Sequence, residues 1–261
     1  MSVESATRAA ALEAVDAAGE GLRASFRGVL EAEVKDAASP IVTEADRAAE
    51  RAIREVLRLR TPDVGILGEE LATERPDAPL RWVIDPIDGT IAFACGKPLF
   101  TTLLALTEHG RSVLGIIDQP VIRERWVGDG DQTTLTDAYG ERVVSTRRGV
   151  ALREARLACT APGMFRDRPG LVDRLRDAVH VITWGGDAYN LGLLASGHVD
   201  IIVEAGLEPY DYAPWAPIVK GAGGRLTDWS GQPLDDVDGT RNVVACGDPA
   251  LVDPVLELIR G

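Results

Sequence analysis

Trp82-Val83-Ile84-Asp85-Pro86-Ile87-Asp88-Gly89-Thr90 is the stretch that decides the fold of this chain. An apolar run of strand type ends directly in two aspartates three residues apart. Pro86 fixes its own φ and biases Asp85 toward an extended conformation, so the chain turns sharply at the strand end. A turn of this kind can aim both carboxylates at one point. Gly89 allows close backbone approach to a ligand, and the residues after it can open a helix whose N–H groups face an anion. A plain Asp-Pro turn with a helix cap accounts for a single Asp-Pro pair, but poorly for the whole nonapeptide.

Working outward, other acids fall at the ends of expected elements. Gly68-Glu69-Glu70 follows a short strand, Val64 to Leu67. Val42-Thr43-Glu44-Ala45-Asp46 has the spacing of a helix capping box. Glu208-Pro209-Tyr210-Asp211-Tyr212 puts an acid at a helix start, where a cap would also suffice. Asp46, Glu69, Asp85, Asp88 and Asp211 are thus all at element termini. If they converge they need a counter-charge, because two like charges about 4 Å apart repel by roughly 4 kcal/mol at an effective dielectric near 20. Hard divalent cations with oxygen ligands relieve that repulsion, and Mg2+ is the usual one beside phosphate.

The composition is consistent with this. With 28 Lys plus Arg against 41 Asp plus Glu, the net charge is −13, which argues against nucleic acid or an anionic membrane as partner. His109, His180 and His198 are too dispersed for an imidazole metal site. Cys95, Cys159 and Cys246 are scattered and odd in number, which suits a reducing cytoplasm better than a disulfide framework. Neither a signal peptide nor an apolar run of the roughly 20 residues that a membrane helix needs is expected.

The 261 residues allow one large domain or two smaller ones. The first 30 residues and Thr43 to Arg60 read as helices. Val64–Leu67, Trp82–Ile84, Phe100–Leu106, Val113–Ile117 and Glu124–Val127 read as strands of an antiparallel sheet. The pattern weakens over 135–153. Beyond it strands and helices alternate, with helices expected over 168–178, 187–196, 212–222 and 249–259. Such alternation favours a layered α/β half. The expected division is an α+β half over residues 1–145 carrying most of the metal ligands. An α/β half over 146–261 would carry substrate-recognition residues and the last ligand.

The chain resembles the inositol monophosphatase family of Mg2+-dependent, lithium-sensitive phosphatases. The resemblance rests on Val42–Asp46, Gly68-Glu69-Glu70, Asp85-Pro86-Ile87-Asp88-Gly89-Thr90, Asp211 and Gly221-Ala222-Gly223-Gly224. It implies a layered αβαβα sandwich, built from an α+β half and an α/β half. It also implies metal ligation by Glu69, Asp85, the Ile87 carbonyl, Asp88 and Asp211. By the same carry-over, Thr90 with Asp46, and Glu69 at the metal, would activate the attacking water, and the Gly89 and Thr90 amides would hold phosphate. A homodimer is the implied assembly. Ile91-Ala92 departs from the polar pair common after this motif, and Lys220 and Arg225 add unexpected positive charge.

Within the family, several strings resemble the histidinol-phosphate phosphatase branch. They are Phe93–Phe100, Ile117–Gly128, Trp184-Gly185-Gly186-Asp187-Ala188-Tyr189 and Leu207–Tyr212. Histidinol phosphate carries an amine and an imidazole, so Asp187 and Glu204 are sensible partners, with Gly185 and Gly186 allowing close approach and Asp211 bordering the substrate. Asp187 would otherwise be a helix N-cap. The expected reaction is hydrolysis of a small phosphate monoester by in-line attack of water. The alternatives are an inositol-1-monophosphatase or broad-specificity sugar or nucleotide phosphatase, and a non-catalytic metal-binding homologue. Asp236-Val237-Asp238-Gly239-Thr240 fits a D-x-D-x-T phosphatase motif, but follows a polar segment and reads as a turn.

Overall fold

The computed structural model describes residues 3–28, 32–33 and 42–261. In chain order the helices are α1 (Ser5–Ser25), α2 (Glu44–Arg60), α3 (Thr90–Ala94), α4 (Leu171–Ala178), α5 (Tyr189–Ala195), α6 (Pro209–Tyr212), α7 (Trp215–Gly221) and α8 (Val252–Arg260). A two-stranded ribbon pairs β1 (Ala32–Glu33) with β2 (Val42–Thr43). The next seven strands are β3 (Gly65–Gly68), β4 (Leu80–Asp88), β5 (Thr101–Glu108), β6 (Arg111–Gln119), β7 (Glu124–Gly128), β8 (Thr133–Asp137) and β9 (Gly140–Val144). They form one sheet in chain order. Five more strands follow: β10 (Arg156–Cys159), β11 (Val181–Trp184), β12 (Ile201–Leu207), β13 (Arg225–Asp228) and β14 (Arg241–Cys246). Their sheet runs β11-β10-β12-β14-β13.

Three apolar layers hold these elements in an αβαβα stack. On α1, Ala11, Ala14, Val15, Ala18 and Leu22 recur at helical spacing and are buried. With Ile53 and Leu57 of α2 they cover Trp82, Ile84, Leu104 and Ile116 on one face of the seven-stranded sheet. The other face presents Leu103, Ile117 and Trp126 to α5 and α7, which lie between the two sheets. Gly128 makes that approach possible, since a Cβ there would stand 2.5 Å from the Ile218 Cα. The far face of the second sheet packs Leu157, Ile201, Val203 and Val244 against Leu171 and Leu175 of α4 and Val255 and Ile259 of α8.

Several expectations need correction. The first sheet is not wholly antiparallel, because β3 runs parallel to β4. Strands β8 and β9 occupy part of the stretch where the pattern weakened. Residues 140–143 are exposed, so no apolar alternation marks β9. The helix expected over 212–222 is two helices, α6 and α7, separated by Ala213-Pro214. The α4 helix begins only after Gly170, whose φ of 79° is left-handed. The Thr43 half of the suspected capping box, and the Ser39-Pro40-Ile41 approach to it, lie outside the side chains described. Asp236 to Thr240 form a polar, largely exposed loop in which Thr240 donates to Glu208 and Arg241 pairs with Asp238. Cys159 and Cys246 are buried free thiols, and burial pushes both up in pKa.

Candidate active site

In a regular strand, residues three apart point to opposite faces. Asp85 and Asp88 escape that rule through a bulge in β4. Asp85 stands opposite Leu103 on β5, whereas Asp88 stands opposite Thr101, so one extra residue is inserted between them. Pro86 brings no N–H to this interval, and its carbonyl accepts the Thr102 hydroxyl at 2.9 Å. The bulge is closed by the Ile87 N–H, which donates to Asp85 Oδ1 at 3.0 Å. Gly89 follows with φ 83°, starting α3, and the Thr90 hydroxyl donates to the Ile87 carbonyl at 3.1 Å.

Asp211 arrives from the other half of the chain. It is the third residue of α6, and a capping box fixes it: the Glu208 N–H donates to Asp211 Oδ2 at 2.7 Å while Glu208 accepts from the Asp211 backbone. Oxygens of Asp85, Asp88 and Asp211 lie within 4.8 Å of one another. At that separation each charged pair would repel by about 3 kcal/mol at an effective dielectric near 20. Burial, then the neighbouring acids Glu69, Asp88, Asp211 and Asp46, push Asp85 well above the usual carboxylate range. Burial, then Asp187 and Asp211, do the same to Asp88. Asp211 is pushed up to about 7, chiefly by burial.

The cluster therefore has two sides. Asp46 on α2 and Glu69, just past β3, stand on the Asp85 side. Asp187 and Glu204 stand on the Asp88 side. Asp88 Oδ2 accepts the Ala188 N–H at 2.7 Å and the Thr101 hydroxyl at 3.3 Å, which ties the two sheets together at this point. Asp187 itself is left-handed, with φ 41°, after Gly185 and Gly186 at 83° and 101°. A Cβ on Gly89 would meet Asp187 Oδ2 at 3.0 Å, so that glycine leaves room for a carboxylate of this protein.

A cavity of about 200 Å³ opens beside the cluster, lined by Asp88, Asp187, Glu204 and Asp211 on its acidic side. Thr160, Met164, Leu207 and Trp215 complete its wall, together with Ala188. Sequence reasoning missed these four. Met164 and Trp215 carry no signal that separates them from core residues. Leu207 lies in a string that resembles the histidinol-phosphate phosphatase branch but was not singled out, and only the place of Thr160 at a strand end could have marked it. Gly185 and Gly186 are not among the lining residues; the turn that presents Asp187 is what they build. Glu204, fully buried on β12, accepts the Thr160 N–H at 2.8 Å and its hydroxyl at 3.1 Å, both on Oε1. Among the described residues its Oε2 has no hydrogen-bond partner, and burial pushes its pKa up to about 8.

The chemistry of the donors suits a hard cation. Every candidate ligand atom is oxygen, the carboxylates are close enough to need a counter-charge, and no sulfur or imidazole joins them among the described residues.

Comparison with known proteins follows the same lines. The model of the inositol monophosphatase family matches residues 4–259. The bifunctional phosphatase IMPL2, chloroplastic, of Arabidopsis thaliana is 42% identical over 94% of this chain and 72% of its own length. A histidinol-phosphatase of Mycobacterium tuberculosis is 34% identical over 85% of this chain and 86% of its own. Among solved structures, an inositol monophosphatase from Zymomonas mobilis superposes with a TM-score of 0.87. It is 42% identical, and the match covers 99% of this chain and all of that one.

Proposed function

The chain belongs to the inositol monophosphatase family of phosphatases, and from that premise we propose that it hydrolyses L-histidinol phosphate to L-histidinol and phosphate. The observation that carries this choice is the Oε2 of buried Glu204, unpartnered among the described residues, in the wall of a cavity shared with Asp187. A buried carboxylate oxygen without a donor is costly unless a ligand supplies one. The amine and imidazole of histidinol can supply charged N–H donors, which pair with a buried carboxylate more strongly than the neutral O–H donors of inositol. The likeness to a histidinol-phosphatase over most of both chains supports the same choice.

Glu69, Asp85, the Ile87 carbonyl, Asp88 and Asp211 would hold Mg2+. The ion supplies charge neutralisation of the phosphate and of the leaving alkoxide, and lowers the pKa of the attacking water. Glu69 orients that water, and Thr90 Oγ1 with the Asp46 carboxylate takes up its proton. The Gly89 and Thr90 amides hold the phosphate in line, so positioning carries much of the rate. Asp187, Glu204 and Asp211 hold the alcohol half, with Gly185 and Gly186 shaping the turn behind Asp187. In this division residues 1–145 supply most of the ion's ligands and residues 146–261 read the substrate. The enzyme would act in the cytoplasm as a homodimer.

Steady-state rates on histidinol phosphate and inositol-1-phosphate test the assignment, with Glu204→Gln beside the parent. Histidinol phosphate should be preferred, and Glu204→Gln should raise its KM about tenfold or more while leaving inositol-1-phosphate hydrolysis nearly unchanged. A preference for inositol-1-phosphate in the parent would sink the substrate choice.

A further inference from the structure

Helix α2 buries three charged side chains at a spacing of four, Asp46, Glu50 and Arg54, each at most 1% exposed. Residues four apart share a helix face. Asp46 belongs to the site already described, while Glu50 and Arg54 have no part in it so far. They form a buried ion pair, with Arg54 Nε donating to Glu50 Oε1 at 2.7 Å. Burying such a pair is expensive in desolvation, and an apolar pair would join this helix to the sheet at less cost. What the charges do instead is hold backbone.

The backbone they hold is the loop that carries Glu69. Glu50 Oε2 accepts the Glu70 N–H at 2.8 Å. Arg54 Nη2 donates to the Leu71 carbonyl at 3.1 Å, and Nη1 to the Ala72 carbonyl at 3.0 Å and to Glu74 Oε1 at 2.6 Å. On the other flank of Glu69, Gly68 is paired with Ile84 in β4, and the Glu69 N–H donates to the Ile84 carbonyl at 3.2 Å. Gly68 has no room for a side chain, because a Cβ would lie 2.0 Å from Glu50 Oε1. Glu69 therefore sits on a short segment fixed by β4 on one side and by Glu50 and Arg54 on the other.

We propose that Glu50 and Arg54 are positioning residues for Glu69 and set the affinity for the divalent cation without touching cation or substrate. The proposal rests on Glu69 being a ligand. Arg54's planar fork spans several acceptors at once, which a lysine ammonium on a flexible stem does not reproduce. Partners standing behind a ligand typically change metal affinity 10- to 100-fold when removed.

The test uses Arg54→Lys and Glu50→Gln, with Mn2+ binding measured by electron paramagnetic resonance on the full chain. The Mg2+ dependence of the rate and hydrogen exchange at residues 69–72 are read in parallel. Expected are about 10-fold or greater weakening of Mn2+ binding, a matching rise in the Mg2+ requirement, and faster exchange in the loop. At saturating Mg2+, kcat and the substrate KM should stay near parent values. If one variant fails to fold, the other carries the test. Glu69→Gln separates the two ideas. Unchanged Mn2+ binding there overturns Glu69 as ligand and the proposal with it. Weakened binding in Glu69→Gln beside unchanged binding in folded Arg54→Lys and Glu50→Gln overturns the positioning role alone.

Discussion

Asp88 combines three tasks in one carboxylate. It faces Asp85 and Asp211, accepts the Ala188 N–H, and borders the cavity. Its pKa is raised, so the folded chain binds its proton more tightly than the unfolded chain does. Without a cation, the stability linked to this group is full below the unfolded carboxylate range and is lost as pH rises through the folded value. Asp88→Asn removes the charge but can still accept from Ala188. Without divalent cation at pH 8 it should therefore be more stable than the parent by about 2 kcal/mol, the gain fading toward pH 4. Phosphate release should fall by about 100-fold or more. Urea melts in EDTA across that pH range and a phosphate assay check both halves. Equal stability at pH 8 would mean that the carboxylates do not strain the metal-free fold.

Among the elements, α2 shows how an ordinary amphipathic helix acquires a second use. Its apolar residues Ala49, Ile53 and Leu57 follow the helical stripe, while Glu50 and Arg54 replace apolar residues beside them. Glu74 completes the network, held down to about 2 chiefly by its hydrogen bond to Arg58, with Arg54 assisting. That stability is present above the unfolded carboxylate value and is lost as pH falls through about 2. Allowing for solvent screening of half-exposed Arg58, Glu74→Gln should cost about 1–2 kcal/mol at pH 7. The difference in urea midpoint should shrink as pH falls from 5 to 3. A constant difference would assign the effect to packing. The network was out of reach of the sequence, because Glu50 and Arg54 match the surface pair that most helices carry at this spacing. Asp85-Pro86-Ile87-Asp88 was legible because a proline between two acids at a strand end has few other uses. Strand β9, with neither alternation nor burial, left no periodic signal.

Across the whole molecule, the alternation of strands and helices after residue 153 was enough to indicate layering. What it lacked was the partner of each layer. Nothing in Asp187 or Gly89 alone reveals that one packs on the other from opposite sheets. The contact between Asp88 and Ala188 closes a span of 100 residues, and closing so large a loop carries an entropic cost that local pairing does not. On that ground we expect such contacts to form late in folding, after pairing within each sheet. A cation held at the junction would therefore act on escape from the native state rather than on arrival. Saturating Mg2+ should slow unfolding in urea while leaving the refolding arm nearly unmoved, and a faster refolding arm would place the docking of the sheets before the rate-limiting step. The junction would thus set the lifetime of the folded chain as well as its chemistry.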